Sequence, residues 1–119
     1  EMFLVTGLAK LKEKDVAVVD AQEVLYMAAV QGARAIGLAD CDSLAPGKQA
    51  DLIMIDLHQP NMQPLNNLTK NIVYSGSKQN VVMTMIAGKI LYEKGEFYVP
   101  EDLERLYADV NCRVEELKR

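Results

Sequence analysis

The sequence predicts an α/β chain in which helices come first, a small set of strands follows and a helix closes the chain. Three observations carry that expectation. Apolar residues recur at helical spacing over 1–13 and again after Asp20. Short apolar runs at 52–55 and 81–87 are bounded by Pro, Gly and Asn, as strands are. Residues 103–117 carry an apolar stripe at the spacing of one helix face.

Met2, Val5, Leu8, Ala9 and Leu11 predict a helix over 1–13, with Gly7 as a weak point within it. The apolar run begins immediately after Glu1, as if the chain opened inside an existing helix. Asp20 is the expected N-cap of a second helix, and Glu23 stands three residues on to complete a capping box. Gly32 marks a break or a close backbone contact. A short helical piece over 33–36 then stops at Gly37, a natural left-handed C-cap.

Beyond Leu38 the texture changes to a turn-rich connection, and Ala45-Pro46-Gly47-Lys48 is its strongest turn signal. Leu52-Ile53-Met54-Ile55 follows as a strand with apolar residues on both faces, and so is expected to be buried on each side. A loop rich in Pro and Asn spans 58–67, and 68–76 reads equally as a short helix or a strand. Residues 81–87 form a second strand, apolar on both faces except at Thr84. Ala87-Gly88 turns the chain tightly and 89–92 returns as its partner. Lys94-Gly95 makes another turn. Pro100 fits the first position of the last helix, Glu101 and Asp102 suit the positive end of its dipole, and Lys118 and Arg119 suit the negative end.

Of the 119 residues, half are apolar and a quarter charged, a globular composition, and the formal net charge of −4 argues against a nucleic-acid partner. No run of about 18 apolar residues suggests a membrane span. The two cysteines, Cys41 and Cys112, lack C-x-x-C spacing and read as unpaired thiols in a reducing, cytoplasmic setting.

A search for chemistry returns no catalytic, cofactor-binding or metal-ligating residue. A metal site needs three or four converging ligands, and the only histidine, His58, sits in the Pro- and Asn-rich loop. Asp51 and Asp56, five apart on one strand, project to opposite faces and cannot clamp one ion. No nucleophile is marked as a partner for His58, and no phosphate-binding or nucleophile-elbow motif occurs; Ser75-Gly76-Ser77-Lys78 lacks the glycine pattern of a phosphate loop. Glu115-Glu116 reads as solvated helix charge.

Three strings nevertheless stand out together: Gly32-Ala33-Arg34-Ala35-Ile36-Gly37-Leu38, Ser43-Leu44-Ala45-Pro46-Gly47-Lys48 and Ala50-Asp51-Leu52-Ile53-Met54-Ile55-Asp56. They resemble the C-terminal region of the amidohydrolase superfamily, where G-A-x-A-[IL]-G-L is followed by G-S-L-x-P-G-K-x-A-D-L-[IV]-x-[IV]-D. The hairpin of 82–92 resembles that superfamily's closing strand pair. The loop at 59–65 and Val73-Tyr74-Ser75-Gly76 look most like its S-adenosylhomocysteine/5-methylthioadenosine deaminase branch. One departure is visible: Asp42 stands where the pattern has glycine, a change of turn geometry.

The resemblance implies that 1–38 are the last helices of a truncated (β/α)8 metal-dependent hydrolase barrel. It makes 39–99 strands of the composite β-sandwich beside that barrel and 100–119 a C-terminal helix. It implies an enzyme that hydrolytically deaminates an adenosine-type or related heterocyclic substrate, with zinc or another divalent metal lowering the pKa of a bound water. None of the family's metal ligands matches a position here; the last of them, an aspartate, would lie just upstream of Glu1. The segment alone is therefore expected to be inactive. Its expected partner is the missing N-terminal part of the same enzyme or another copy of the chain, in a homo-oligomer. Ile53, Ile55, Val82 and Ile86 are expected to lack cover on one side. The alternative reading is a free-standing, non-enzymatic β-module that associates through exposed strands.

Overall fold

The computed structural model describes residues 1–118; the expected closing role of Arg119 lies outside the described residues. Helix α1 spans Met2–Glu13 without interruption at Gly7, because the backbone there keeps helical geometry and nothing crowds it. The buried Thr6 hydroxyl donates to the Phe3 carbonyl at 2.7 Å. Helix α2, Ala21–Tyr26, is capped as expected: the Asp20 carboxylate accepts from the Glu23 amide at 2.8 Å. The reciprocal bond from the Glu23 side chain is not made, so half of the capping box forms.

Gly32 does not break the chain. A π-helical turn over Met27–Gln31 runs on into α3, Gly32–Ala35, with Gly32 itself in right-handed helical geometry. The close-contact reading holds instead: a Cβ at Gly32 would stand 3.4 Å from the Met27 carbonyl oxygen. The helix ends at Gly37, whose φ is +80°. Gly37 N donates to the Arg34 carbonyl (3.0 Å) and Leu38 N to the Ala33 carbonyl (2.9 Å), the paired bonds of a Schellman C-cap.

The described strands form one antiparallel sheet in the order β1 (Leu52–Ile55), β2 (Val81–Ile86), β3 (Lys89–Glu93) and β4 (Glu96–Phe97). The β2–β3 hairpin closes through Ala87 (φ +49°) and Gly88 (φ +76°), the two left-handed positions of a primed turn, as the sequence predicts. Strand β1 corrects an expectation. Ile53 and Met54 are each 54% exposed, because β1 is the outer strand of the sheet and the described residues do not cover both of its faces. The expected lack of cover appears at Ile53 and Ile86, while Ile55 and Val82 are half-buried.

The ambiguous stretch at 68–76 is helical: α4, Leu68–Lys70, continues as a π-helical turn over Asn71–Ser75. Its Val73 joins Ala21 and Val24 in the buried core, with Met2, Val19 and Leu25 packed around them. Helix α5 runs over Leu103–Leu117, three residues later than Pro100 suggests. Asp102 is its N-cap and accepts from the Glu104 (3.0 Å) and Arg105 (3.4 Å) amides, and this side-chain bonding fixes the start. No residue of α5 is buried.

Candidate functional site

The most organised polar structure among the described residues, a clamp centred on Asp42, lies where the helices hand over to the sheet. Asp42 is buried, with its side chain 2% exposed, and three side chains converge on it. Arg34, in the last turn of α3, donates from Nε to Oδ2 at 2.7 Å. The Lys48 ammonium, delivered by the Pro46-Gly47 turn, pairs with Oδ1 and also donates to the Ala39 carbonyl at 2.7 Å. The Ser43 hydroxyl donates to Oδ1 at 2.9 Å. These bonds, first Lys48 and then Arg34 and Ser43, hold the Asp42 carboxyl well below the usual carboxylate range against the opposing effect of desolvation. The same hydrogen bond raises the pKa of Arg34.

The local sequence explains why the charges meet. The Schellman cap at Gly37 reverses the chain after α3, and Gly47 (φ +84°) lets the Lys48 amide donate back to the Ala45 carbonyl at 3.1 Å. Gln49 N then donates to the Asp40 carbonyl at 2.9 Å, closing the loop on itself. Two residues on, the Asp51 carboxylate accepts from the Ala87 amide at 2.7 Å and from the Gln49 side chain at 3.2 Å. The first of these bonds is the main cause of its lowered pKa. Gly88 N donates to the Ala50 carbonyl at 3.1 Å. Thus the Pro-Gly-Lys turn and the Ala-Asp pair, singled out above as motif, join α3, the connection, β1 and the β2–β3 hairpin.

A second polar cluster centres on the buried Asn80. Its side-chain oxygen accepts from the Asn61 amide at 2.8 Å and from the Ser77 amide at 2.9 Å, while its nitrogen donates to the Asp56 carbonyl at 3.3 Å. Asn61 also donates to the Ser75 carbonyl (2.7 Å), and Asn71 donates to the Met62 (2.8 Å) and Pro64 (3.1 Å) carbonyls. Gly76 is obligatory beside them, since a Cβ there would stand 2.4 Å from the Ile72 carbonyl oxygen. Ser75-Gly76-Ser77-Lys78 thus serves a close backbone approach.

Among the described residues no three of His, Cys, Asp and Glu converge as metal ligands. His58 is exposed, and Asp56 is occupied by the His58 amide (2.8 Å) and the Gln59 side chain (2.6 Å), bonds that lower its pKa. Asp51 and Asp56 serve separate contacts, and Cys41 and Cys112 are free thiols. No described helix is long and apolar enough to cross a membrane. Sequence reasoning missed the buried role of Asp42. The available signal was an acidic residue in a turn-rich stretch, with a cation eight positions before it and another six after.

Comparison with known proteins gives this arrangement a context. A model of the amidohydrolase family matches residues 2–91. A 5-methylthioadenosine/S-adenosylhomocysteine deaminase from Desulfovibrio desulfuricans is 45% identical over 113 residues, covering 95% of this chain and 24% of the relative. The corresponding enzyme from Moorella thermoacetica is 41% identical over 108 residues, covering 90% and 25%. Among solved structures, an adenosine deaminase from Xanthomonas campestris with bound zinc superposes with a TM-score of 0.88 at 31% identity, over 99% of this chain and 27% of that one. An atrazine chlorohydrolase from Arthrobacter aurescens, 24% identical, shares the fold over 79% of this chain with a TM-score of 0.68. The chain spans about a quarter of the length of the curated relatives it matches.

Proposed function

The chain belongs to the amidohydrolase family, and from that premise we propose that it is the C-terminal part of a metal-dependent deaminase acting on an adenosine-type or related heterocyclic substrate. The observation that carries this reading is the 45% identity to a 5-methylthioadenosine/S-adenosylhomocysteine deaminase over 113 residues, 95% of this chain. In this reading 1–38 are the last helices of a (β/α)8 barrel, 39–99 supply strands to a composite β-sandwich and 100–119 form the C-terminal helix. The uncovered side chains support it: Phe3, Leu8 and Leu11 of α1 and Ile53 of β1 are apolar, exposed and in need of neighbours.

Within the parent enzyme this segment braces the barrel and completes the sandwich. Its residues do not fit the zinc that the similar adenosine deaminase binds, because the carboxylates are engaged elsewhere and the one imidazole is solitary. Zinc or another divalent metal is therefore assigned to the remainder of the parent, and no hydrolytic step is derived on this chain. The partners are that remainder, or another copy of the chain in a homo-oligomer, in the cytoplasm and without nucleic acid.

The test is a metal analysis and an ammonia-release assay on the intact parent, beside the same measurements on the 119-residue segment. The expected result is about one divalent metal per parent chain, ammonia from an adenosine-type nucleoside, and neither from the segment. An intact parent that binds no metal and releases no ammonia refutes the proposal.

A further inference from the structure

The longest regular element is the least covered. Leu106, Tyr107, Val110 and Val114 of α5 are 43–53% exposed and Leu117 is 88% exposed. With Leu103 they lie within an arc of about 100° of the helix surface, a stripe broad enough to seat another helix. The charges that flank the stripe follow a pattern. Asp109 and Arg113 lie on one side of it and Glu104 and Lys118 on the other. Asp109 and Arg113 stand two residues before and two after Asn111; Glu104 and Lys118 stand seven before and seven after.

We propose that α5 pairs antiparallel with α5 of a second copy of the same chain, about a two-fold axis passing near Asn111. In such a self-complementary contact a residue before the axis meets the residue equally far beyond it on the partner. Each Asp109 then faces an Arg113, each Glu104 faces a Lys118, and both flanks become complementary at once. The apolar layers fall within one residue of that register: Tyr107 comes opposite Val114, Leu106 opposite Leu117, and the two Val110 side chains lie one residue from the axis. A parallel pair would set the acidic stretch Glu101, Asp102, Glu104 and Asp109 against itself. Lys118 is held by Glu115 at 2.7 Å with both side chains exposed, a pairing weak enough to yield or be shared. One helix pair buries less than the roughly 1,200–2,000 Å² of a stable interface, so the association is concentration-dependent.

This contact gives the oligomer proposed above a specific surface, and its test is independent of the deaminase reading. Sedimentation velocity on the intact parent across a dilution series is expected to show a reversible dimer. Asp109→Arg turns both symmetry-related pairs repulsive and is expected to weaken the dimer roughly tenfold. Asp109→Arg with Arg113→Asp restores complementarity and the dimer, which separates lost pairing from misfolding. Mixing the Asp109→Arg and Arg113→Asp single variants is expected to give a heterodimer. A Val110→Cys variant is expected to form a disulfide-linked dimer, whereas the native Cys112, on the opposite side of the helix, is not. A parent that stays monomeric, or dimerises with no response to the charge swap and no bond at position 110, overturns the proposal. A monomeric parent that binds metal and releases ammonia overturns this inference alone; an inert parent that dimerises through α5 overturns only the enzymatic reading.

Discussion

Residues 56–80 and helix α5 make an instructive pair. The first region is built from two 3-10 turns, a three-residue helix and a π-helical turn, none of which would persist by itself. Yet it holds three of the most deeply buried side chains, Met62, Val73 and Asn80, and side-chain amides bind its loops to one another. Helix α5 is fifteen residues long, capped and regular, and buries nothing. Regularity and burial are thus separate properties. The irregular region is fixed by contacts within the chain, and the regular one presents an apolar face that the described residues leave exposed.

That contrast can be broken in graded steps, each measured on the intact protein. Met62→Ala, at a fully buried site, is expected to cost about 2–5 kcal/mol in chemical unfolding. Asn80→Ala strands several donors and acceptors and is expected to cost about 1–3 kcal/mol; a double-mutant cycle with Asn61→Ala should show strong coupling. The clamp is recognised by a slope rather than a size. Asp42 has a folded-state pKa below its unfolded value, so its contribution is complete above about pH 4 and is lost as pH falls toward the folded value. In Asp42→Asn that acid-side loss should shrink; an unchanged acid limb would remove the clamp from the account. Ala87→Asn, at a left-handed turn position, is expected to stabilise by roughly 0.5–1 kcal/mol, since asparagine tolerates that geometry better. Val110→Ser in α5 sharpens the comparison most. If the stripe meets only a second copy, monomer stability should move by no more than about 0.5 kcal/mol while the dimer weakens.

Local signals in the sequence were enough for the types of the main elements, though 68–76 stayed open between helix and strand. The Gly37 cap, the Pro46-Gly47 turn and the Ala87-Gly88 hairpin were legible because each rests on backbone geometry that few residues adopt. The start of α5 was misjudged at Pro100, because three consecutive residues suit a helix N-terminus and only the bonding of Asp102 chooses among them. Burial of β1 was overestimated because apolarity on both faces records what a strand is suited to meet, while exposure depends on what is there. The role of Asp42 was illegible for a related reason. Its charged partners stand eight positions before it and six after, a spacing that means nothing by itself, and only the cap and the turn bring Arg34 and Lys48 to the same carboxylate.

The clamp also has a mechanical meaning. A stretch of chain between a helix and a sheet is ordinarily where a molecule bends, but this one is welded at both ends. Arg34 grips it from the helix side, Asp51 grips the hairpin, and its own carbonyls close the span between. Arg34 at the end of α3 and Asp51 just ahead of β1 thus fasten the connection at both of its ends. Between β4 and α5 the fastening is lighter: Tyr98 N donates to the Leu91 carbonyl at 2.9 Å and Asp102 caps the helix, with no charged side chain gripping the residues between among those described.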